Sequence, residues 1–211
     1  MTPFKIKVCG ITRPTDAGLA AELGADMLGM IFYRKSPRFV TQAEARKIVA
    51  AIPATVTRVG VFVNEEESRV LRTVERLRLD FVQLHGDETD ACVRRLQGHG
   101  VKVIKAFCIK TRSDFKAVFE SSADLCLLDN RSGSSRGGTG QRFDWKLKPR
   151  RRIKNLVLAG GISADNVAEG VRLFRPLAID VNSTVESRPG VKSPRLLTSF
   201  FTRCNRIRYG R

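Results

Sequence analysis

The chain has 211 residues, of which 42% are hydrophobic and 28% are charged, and its formal net charge is +17. This length suits one domain with a sizeable core, residues 1–211, and the composition excludes an intrinsically disordered protein. No apolar run approaches the ~20 residues of a membrane span. The first residues lead into a strand instead of a secretory signal, so we expect a cytoplasmic protein that does not bind a membrane.

Five cysteines, none of them in a CxxC pair, argue against a disulfide framework and against a zinc site. The basic residues are spread along the chain, and the two dense runs are residues 146–154 and 203–211. There is no zinc finger, RRM signature or basic stripe with interleaved aromatic residues. We therefore expect solvated surface charge or attraction to anionic metabolites, and nucleic acid is not the expected partner.

Apolar strand-like runs alternate with amphipathic helix-like runs along the whole chain. Pro14 and Asp16 suit the first turn of a helix that Gly24 closes. Thr41 and Glu44 have the spacing of a capping box before the second helix. The eight predicted strands span residues 5–9, 27–32, 58–63, 81–84, 101–107, 125–128, 155–158 and 177–181.

The later helices follow the same plan. Asn64 is predicted to cap the third helix, Ser163 to begin the seventh and Ser193 to cap the last. The segment 113–119 is predicted to be a short helix, and 143–147 a short helix at best. The strands are apolar throughout instead of alternating, as in parallel sheets covered on both faces. Eight such units predict a single-domain α/β protein with a (β/α)8 TIM barrel. An open doubly wound sheet would need fewer strands and usually a GxGxxG turn, which is absent.

Polar side chains concentrate just beyond the carboxyl ends of the predicted strands, whereas the other ends carry ordinary turn and surface residues. In barrel enzymes the carboxyl-end rim holds the active site, so this asymmetry predicts a catalytic rim. The residues at these ends are Cys9, Arg38, Asn64, Gln83, His85, Asp129, Gly160, Gly161, Asp180, Asn182 and Ser183.

Cys9 and Asp129 are the candidates for acid–base chemistry. An ordinary thiol is mostly protonated at neutral pH, so Cys9 needs a neighbour that lowers its pKa before it can act as a base or nucleophile. Strand alternation puts Lys7 on the same inward face, where it either favours the thiolate or balances Asp180. Asp129 ends an apolar strand, and partial desolvation would favour its protonated form, which can act as an acid. A loop cap is the alternative for Asp129.

Two loops suit a phosphate group. Gly160 and Gly161 leave room for close approach and precede a helix whose free N–H groups point outward, although plain turn glycines are the alternative. Asn182, Ser183 and Thr184 follow the last strand. The loops after strands seven and eight are the usual phosphate site of a (β/α)8 barrel.

Arg38, in the segment YRKSPRFV, could hold a carboxylate through two parallel hydrogen bonds, although a single arginine is commonly only a surface residue. His85 could change its charge near neutral pH or could simply form hydrogen bonds at the rim. The glycine-rich segment 130–140 exceeds the usual ~2–6 residues of a βα loop, and we interpret it as a mobile lid.

Seven segments occur in order along the chain: KVCGIT, GADMLGMIFYRKSPRFV, VGVFVN, VQLHGDE, LLDNRSGSSRGGTGQRFDW, LAGGI with NV, and DVNSTVESRPGVK. Together they resemble the phosphoribosylanthranilate isomerase family of tryptophan biosynthesis. The resemblance implies a (β/α)8 barrel without cofactor or metal. It also implies an Amadori rearrangement of N-(5-phosphoribosyl)anthranilate to 1-(2-carboxyphenylamino)-1-deoxyribulose 5-phosphate. We expect a monomer or homodimer that acts on this small phosphorylated molecule.

The resemblance also implies roles for the rim residues. Cys9 would be the general base, and Asp129 the general acid that opens the sugar to a Schiff base. Arg38 would bind the anthranilate carboxylate, and Asp180 would lie near the bridging amine. The remaining expected contacts are Gln83 and His85 with the substrate, and Gly160, Gly161, Asn182, Ser183 and Thr184 with the phosphate. The family usually has glycine where this chain has Thr184.

Two other functions stay open at this point. Another barrel isomerase of a phosphorylated aminosugar, such as that of histidine biosynthesis, would need paired aspartates, whereas Cys9 ends the first strand here. A catalytically inactive barrel could instead bind nucleic acid through its basic surface, with a steep salt dependence and no turnover. The presence of Cys9, Asp129 and Arg38 argues against that second alternative.

Overall fold

The computed structural model describes residues 4–130 and 144–210. Eight parallel strands form a closed barrel in which each strand pairs with the next and the eighth pairs with the first. This architecture confirms the predicted (β/α)8 barrel. The strands are β1 Lys5–Val8, β2 Met27–Ile31, β3 Thr57–Phe62, β4 Phe81–Leu84, β5 Lys102–Cys108, β6 Leu125–Asp129, β7 Leu156–Leu158 and β8 Ala178–Val181.

The helices surround the barrel in the order that the sequence predicts. In the described ranges they are α1 Pro14–Glu22, α2 Gln42–Ala50, α3 Glu67–Leu77, α4 Asp90–Gly98, α5 Phe115–Glu120, α6 Val167–Phe174 and α7 Pro194–Tyr209. The sixth unit, predicted to hold a short helix at best over 143–147, has the 3-10 turn Trp145–Leu147 in its described part. The predicted lid at 130–140 lies outside the described residues, apart from Asn130. Each helix in the described ranges is too short or too polar to span a bilayer.

Both faces of the sheet are buried, which explains why the strands read as continuous apolar runs. A small cluster that includes Met27, Val59, Ile104 and Leu127 fills the barrel interior. A much larger cluster packs the outward strand faces against the helices. Fully burying one such side chain contributes about 1.5–3 kcal/mol, so the two clusters supply the main stabilisation of the barrel.

Some of the helix starts predicted from the sequence are present in the structure, and others are not. The Thr41–Glu44 capping box and the Ser193 cap are both present, which confirms those predictions. The predicted cap at Asn64 is wrong, because Asn64 has φ 48° and its Oδ1 accepts a hydrogen bond from the Asp87 N–H at 2.7 Å. The predicted start at Ser163 is also wrong, since a turn closed by the Ser163 N–H and Asn166 Oδ1 at 2.9 Å precedes α6.

An antiparallel hairpin that the sequence pattern did not predict follows β8. Its strands are β9 Glu186–Arg188 and β10 Val191–Lys192. Contacts with α1 and the loop before it hold the hairpin, because the Thr12 hydroxyl donates to the Gly190 carbonyl and the Lys192 N–H donates to Asp16 Oδ2 at 3.0 Å. Two strands this short carry no hydrophobic alternation, so tertiary contacts decide their formation.

Candidate active site

The carboxyl ends of all eight strands meet at one rim, because the strands are parallel and the barrel is closed. Cys9 directly follows β1, Asp129 is the last residue of β6, and Asp180 lies in β8. Each of the three is at least nine-tenths buried. The fold therefore brings a thiol and two carboxyl groups, distant in the sequence, to the same mouth of the barrel.

Lys7 lies beneath this rim and is completely buried. It is the Cα partner of Asp180 in the β1–β8 ladder, and its Nζ donates to Asp180 Oδ2 at 2.9 Å. Burial acts to lower the pKa of Lys7, but the charges of Asp180 and Cys9 outweigh it and raise that pKa above its ordinary value. Lys7 thus faces two groups that can carry negative charge, Asp180 and Cys9.

Burial opposes ionisation of the Cys9 thiol. Burial raises its pKa above the ordinary thiol value, and the opposing effect of Lys7 does not overcome it. The neighbouring strand also leaves little room, since a Cβ at Gly29 would stand 2.8 Å from the Cys9 Sγ. The Cys9 thiol therefore occupies space that a side chain at position 29 would fill.

Asp180 connects the two sides of the mouth. Burial raises its pKa, Lys7 opposes this effect, and the charges of Asp129 and His85 act on it from the other side. Its Oδ1 is buried and accepts no hydrogen bond from any described residue. Because an unpaired buried acceptor is costly, this oxygen is suited to accept a proton donor of a ligand.

Asp129 belongs to a chain of three polar side chains. Gln83 Nε2 lies 2.8 Å from His85 Nδ1, and His85 Nε2 lies 3.1 Å from Asp129 Oδ2. His85 thus stands between the Gln83 amide on one side of its ring and the Asp129 carboxyl group on the other. The Asn130 N–H donates to the other oxygen, Asp129 Oδ1, at 2.7 Å. The carboxyl group is thus oriented from two sides, and the residue directly after β4 supplies the imidazole beside it.

Arg38 makes a two-point ion pair with Glu186 of the hairpin. Its Nη2 lies 2.7 Å from Glu186 Oε2, its Nε lies 3.0 Å from Oε1, and both side chains are less than a tenth exposed. The Arg38 Nη1 forms no hydrogen bond with the described residues, so one edge of the guanidinium is left for a ligand. The predicted carboxylate-binding role of Arg38 stays a prediction.

Glu186 and Lys192 are rim residues that the sequence analysis missed. Lys192 Nζ donates to Glu186 Oε1 at 2.9 Å and to Asn182 Oδ1 at 2.9 Å. Burial alone would raise the pKa of Glu186, but the Arg38 hydrogen bonds and the Lys192 charge outweigh it, so that pKa is lowered. The only sequence signal was two opposite charges flanking a Pro-Gly turn in ESRPGVK.

The two glycines after β7 form a turn that other residues rarely adopt. Gly160 has φ 76° and Gly161 has φ 66°, and a Cβ at Gly160 would stand 2.9 Å from the Asn130 nitrogen. The N–H groups of Gly160, Gly161 and Ser183 form no hydrogen bonds with the described part of the chain. They provide free donors for an anion at the end of the barrel where Asp129 lies.

The side chains of Asn182 and Thr184, the other two predicted phosphate contacts, form hydrogen bonds with protein groups. Asn182 Oδ1 accepts from Lys192, and the Thr184 hydroxyl donates to the Ile162 carbonyl. Thr184 therefore joins the loops after β7 and β8 instead of pointing its oxygen at a ligand. Of the five predicted residues, the backbone donors of Gly160, Gly161 and Ser183 stay available.

An anion cradle after strands seven and eight, with acid–base groups across the same mouth, is the arrangement of (β/α)8-barrel enzymes. In residues 4–130 and 144–210, no group of three or more His, Cys, Asp and Glu side chains is arranged to hold a metal ion. Fold and rim together define the class, a (β/α)8-barrel enzyme. A family model described as N-(5'phosphoribosyl)anthranilate (PRA) isomerase matches residues 6–203, and the chain belongs to that family.

Individual relatives of the chain carry the name of the same enzyme as the family model. The N-(5'-phosphoribosyl)anthranilate isomerase of Trichlorobacter lovleyi is 44% identical over 90% of this chain and 92% of its own length. A solved structure of monomers generated from dimeric phosphoribosylanthranilate isomerase of Thermotoga maritima is 35% identical, with a TM-score of 0.85 over 96% of this chain and 98% of that one.

A second solved relative carries a ligand. It is a phosphoribosyl anthranilate isomerase in complex with reduced 1-(o-carboxyphenylamino)-1-deoxyribulose 5-phosphate, 34% identical, with a TM-score of 0.81 over 96% of this chain and 98% of that one. Solved members of the family thus include monomeric and dimeric forms, and one of them binds an anion that carries both a carboxylate and a phosphate.

Proposed function

We propose that this chain isomerises N-(5'-phosphoribosyl)anthranilate to 1-(o-carboxyphenylamino)-1-deoxyribulose 5-phosphate in tryptophan biosynthesis. The observation that carries the proposal is the shared rim of Cys9, the Asp129–His85 pair and the free N–H groups of Gly160 and Gly161. The substrate has a phosphate at one end, a carboxylate at the other and the reacting carbons between them. The rim offers donors for each end and acid–base groups in the middle.

The phosphate is proposed to bind at the backbone N–H groups of Gly160, Gly161 and Ser183. Binding there orients the sugar with its ring toward Asp129, because Gly160 packs against the backbone of Asn130. Holding a reactant in this way turns remote binding energy into positioning of the reacting atoms.

Asp129 is proposed to act as the general acid. It gives its proton to the furanose ring oxygen as the C1'–O bond breaks, and the electron pair of the anthranilate nitrogen forms the C1'=N bond of the Schiff base. His85, hydrogen-bonded to Asp129 Oδ2 at 3.1 Å and to Gln83, keeps the carboxyl group oriented during this transfer. Proton transfer by a positioned side chain typically accelerates a step by ~10²–10⁴.

Cys9 is proposed to act as the general base in its thiolate form. It removes the C2' proton, and the C2'–H electron pair forms the enolamine that then tautomerises to the ketone. Since burial raises the pKa of Cys9, the thiolate depends on the buried charge of Lys7 beside it. The unpaired Asp180 Oδ1 is suited to accept the proton of the bridging amine.

Arg38 is proposed to hold the anthranilate carboxylate through its unused Nη1 edge. Glu186 fixes the guanidinium by a two-point contact and acts as its positioning residue. The same hairpin carries Lys192, which holds Asn182 of the loop after β8. The carboxylate site and the phosphate site are therefore joined through one buried ion network.

Three further properties are proposed. Residues 1–211 form a single domain, since no linker-like segment interrupts the strand–helix alternation. The cytoplasm is the proposed location, because the five free cysteines suit a reducing compartment. The chain acts as a monomer or a homodimer, the two states that occur among its solved relatives.

The decisive experiment mixes purified protein with freshly made N-(5'-phosphoribosyl)anthranilate and follows the loss of anthranilate-type fluorescence. We expect rapid, catalytic loss of the signal. The Asp129→Asn variant is the matched control, because it preserves shape and loses the acidic proton. A rate no higher than that of the variant would overturn the proposal and would favour a different barrel isomerase.

A further inference from the structure

A cationic pocket opens on the barrel face opposite to the catalytic rim. It lies where the segment before β7 meets the end of α6, and its volume is about 210 Å³. Six of its lining residues are basic and none is acidic. The six basic residues are Lys148, Arg150, Arg151, Arg152, Arg172 and Arg175.

The described residues do not neutralise the charge of this pocket. All six basic side chains are exposed, and none of them forms an ion pair with a described residue. The guanidinium of Arg151 is held 4.6 Å from the centre of the Phe119 ring, so it is oriented by a cation–π contact instead of by an acid. Like charges gathered without a counter-charge create a positive potential that attracts anions.

The floor of the pocket is apolar. Ile153, Leu156 and Phe174 line it and are each less than a tenth exposed. Such a site can receive a ligand with two parts, a charged group between the arginines and a less polar body on the floor. Guanidinium groups are suited to phosphate because their planar N–H pairs bind two oxygens at once.

We propose that this pocket binds a multiply phosphorylated anion, either a free nucleoside polyphosphate or the backbone of a nucleic acid. The proposal is independent of the isomerase assignment, since the pocket and the catalytic rim lie at opposite ends of the strands. The isomerase substrate carries one phosphate, which leaves the run of basic residues at 146–154 without a use at the catalytic rim.

The test measures binding by calorimetry with inorganic tripolyphosphate, ATP and a short single-stranded RNA, at low and at physiological salt. We expect saturable binding of one equivalent per chain that weakens as salt rises. The double variant Arg150→Glu/Arg152→Glu should weaken this binding by at least about tenfold, because both lost contacts are charge-assisted. Both residues are exposed, so the variant should fold normally.

The matched control is Arg195→Glu/Arg203→Glu, an exposed pair on α7 that changes the net charge by the same amount. We expect it to reduce binding by less than about twofold, since it acts only through long-range charge. Tighter binding of ATP than of RNA would identify a free nucleotide as the ligand, and the reverse would identify a nucleic acid. Equal losses in both double variants, or no saturable binding of any probe, would overturn the proposal.

Discussion

The catalytic rim and the opposite face of the barrel use basic residues in contrasting ways. At the rim, Lys7, Arg38 and Lys192 are buried, and each has an acidic partner within 3.0 Å. At the opposite face, the six basic residues of the cationic pocket are exposed, and none has an acidic partner among the described residues. The same residue types therefore form an internal network at one end and an open electrostatic surface at the other.

The difference follows from the cost of removing a charge from water. A buried ion without a partner is strongly unfavourable, so the rim needs an acid for each cation. An exposed guanidinium stays hydrated and needs none. Substitutions that leave a buried rim charge without its partner should thus lower stability, whereas substitutions in the cationic pocket should disturb only ligand binding.

The largest expected effect comes from removing the two reacting groups at the rim. Cys9→Ala or Asp129→Asn should lower kcat by at least about 10²–10⁴, because each removes a positioned proton-transfer group. Circular dichroism and urea unfolding should show an intact barrel. Normal turnover in either variant would show that the acid–base assignment is wrong.

The second prediction tests whether the buried cation of Lys7 and the carboxylate of Asp180 stabilise the fold only as a pair. Lys7→Met should destabilise the protein by about 3–5 kcal/mol, because it leaves Asp180 buried without its cation. Adding Asp180→Asn to the same chain should restore most of that loss, as both charges are then absent. Urea unfolding of the two variants provides the measurement, and a cost below about 1 kcal/mol for Lys7→Met would contradict the pairing argument.

A smaller effect is expected at Glu186, because glutamine keeps part of its hydrogen bonding. Glu186→Gln should cost about 1.5–3 kcal/mol near neutral pH and should raise KM more than it lowers kcat, since Arg38 loses its anchor. Glu22→Gln, an exposed substitution at the last residue of α1 on the opposite face of the barrel, serves as the matched control.

The cost of Glu186→Gln in unfolding free energy should depend on pH, because the pKa of Glu186 is lowered in the folded protein. A carboxyl group with a lowered pKa in the folded state stabilises the fold above its ordinary value of 4.5, and the contribution is lost as pH falls below it. The difference in unfolding free energy between the unsubstituted protein and Glu186→Gln should therefore be largest above pH 4.5 and should shrink as the pH falls below it. A difference that stays constant down to low pH would show that the Glu186 charge is not responsible.

The smallest effect is expected at the opposite face. Arg150→Gln and Arg152→Gln should each change the free energy of unfolding by less than about 0.5 kcal/mol and leave isomerase turnover unchanged. Both side chains are exposed, and neither forms an ion pair within residues 4–130 and 144–210. Thermal unfolding and the fluorescence assay check this. A large loss of stability would mean that these arginines are structural, and the contrast with the rim would disappear.

Several features of the molecule could be predicted from local sequence patterns. Eight apolar runs separated by amphipathic segments indicated the barrel, because burial on both sheet faces leaves a continuous hydrophobic signal. Cys9, Asp129 and the Gly160–Gly161 pair were recognisable because strand ends and glycine turns are local features. The Asn64 cap was mispredicted, since its amide bonds to Asp87, which belongs to the next strand–helix connection along the chain.

The sequence by itself determined which segments become strands and which residue types stand at their ends, since both depend on neighbours along the chain. Strand alternation left Lys7 with two possible roles, and the tertiary structure selected the contact with Asp180, 173 positions away. The tertiary structure alone decided that Arg38 pairs with Glu186, 148 positions away. No periodicity records such contacts, because they depend on barrel closure, which excludes water and makes an unpaired charge too costly to keep.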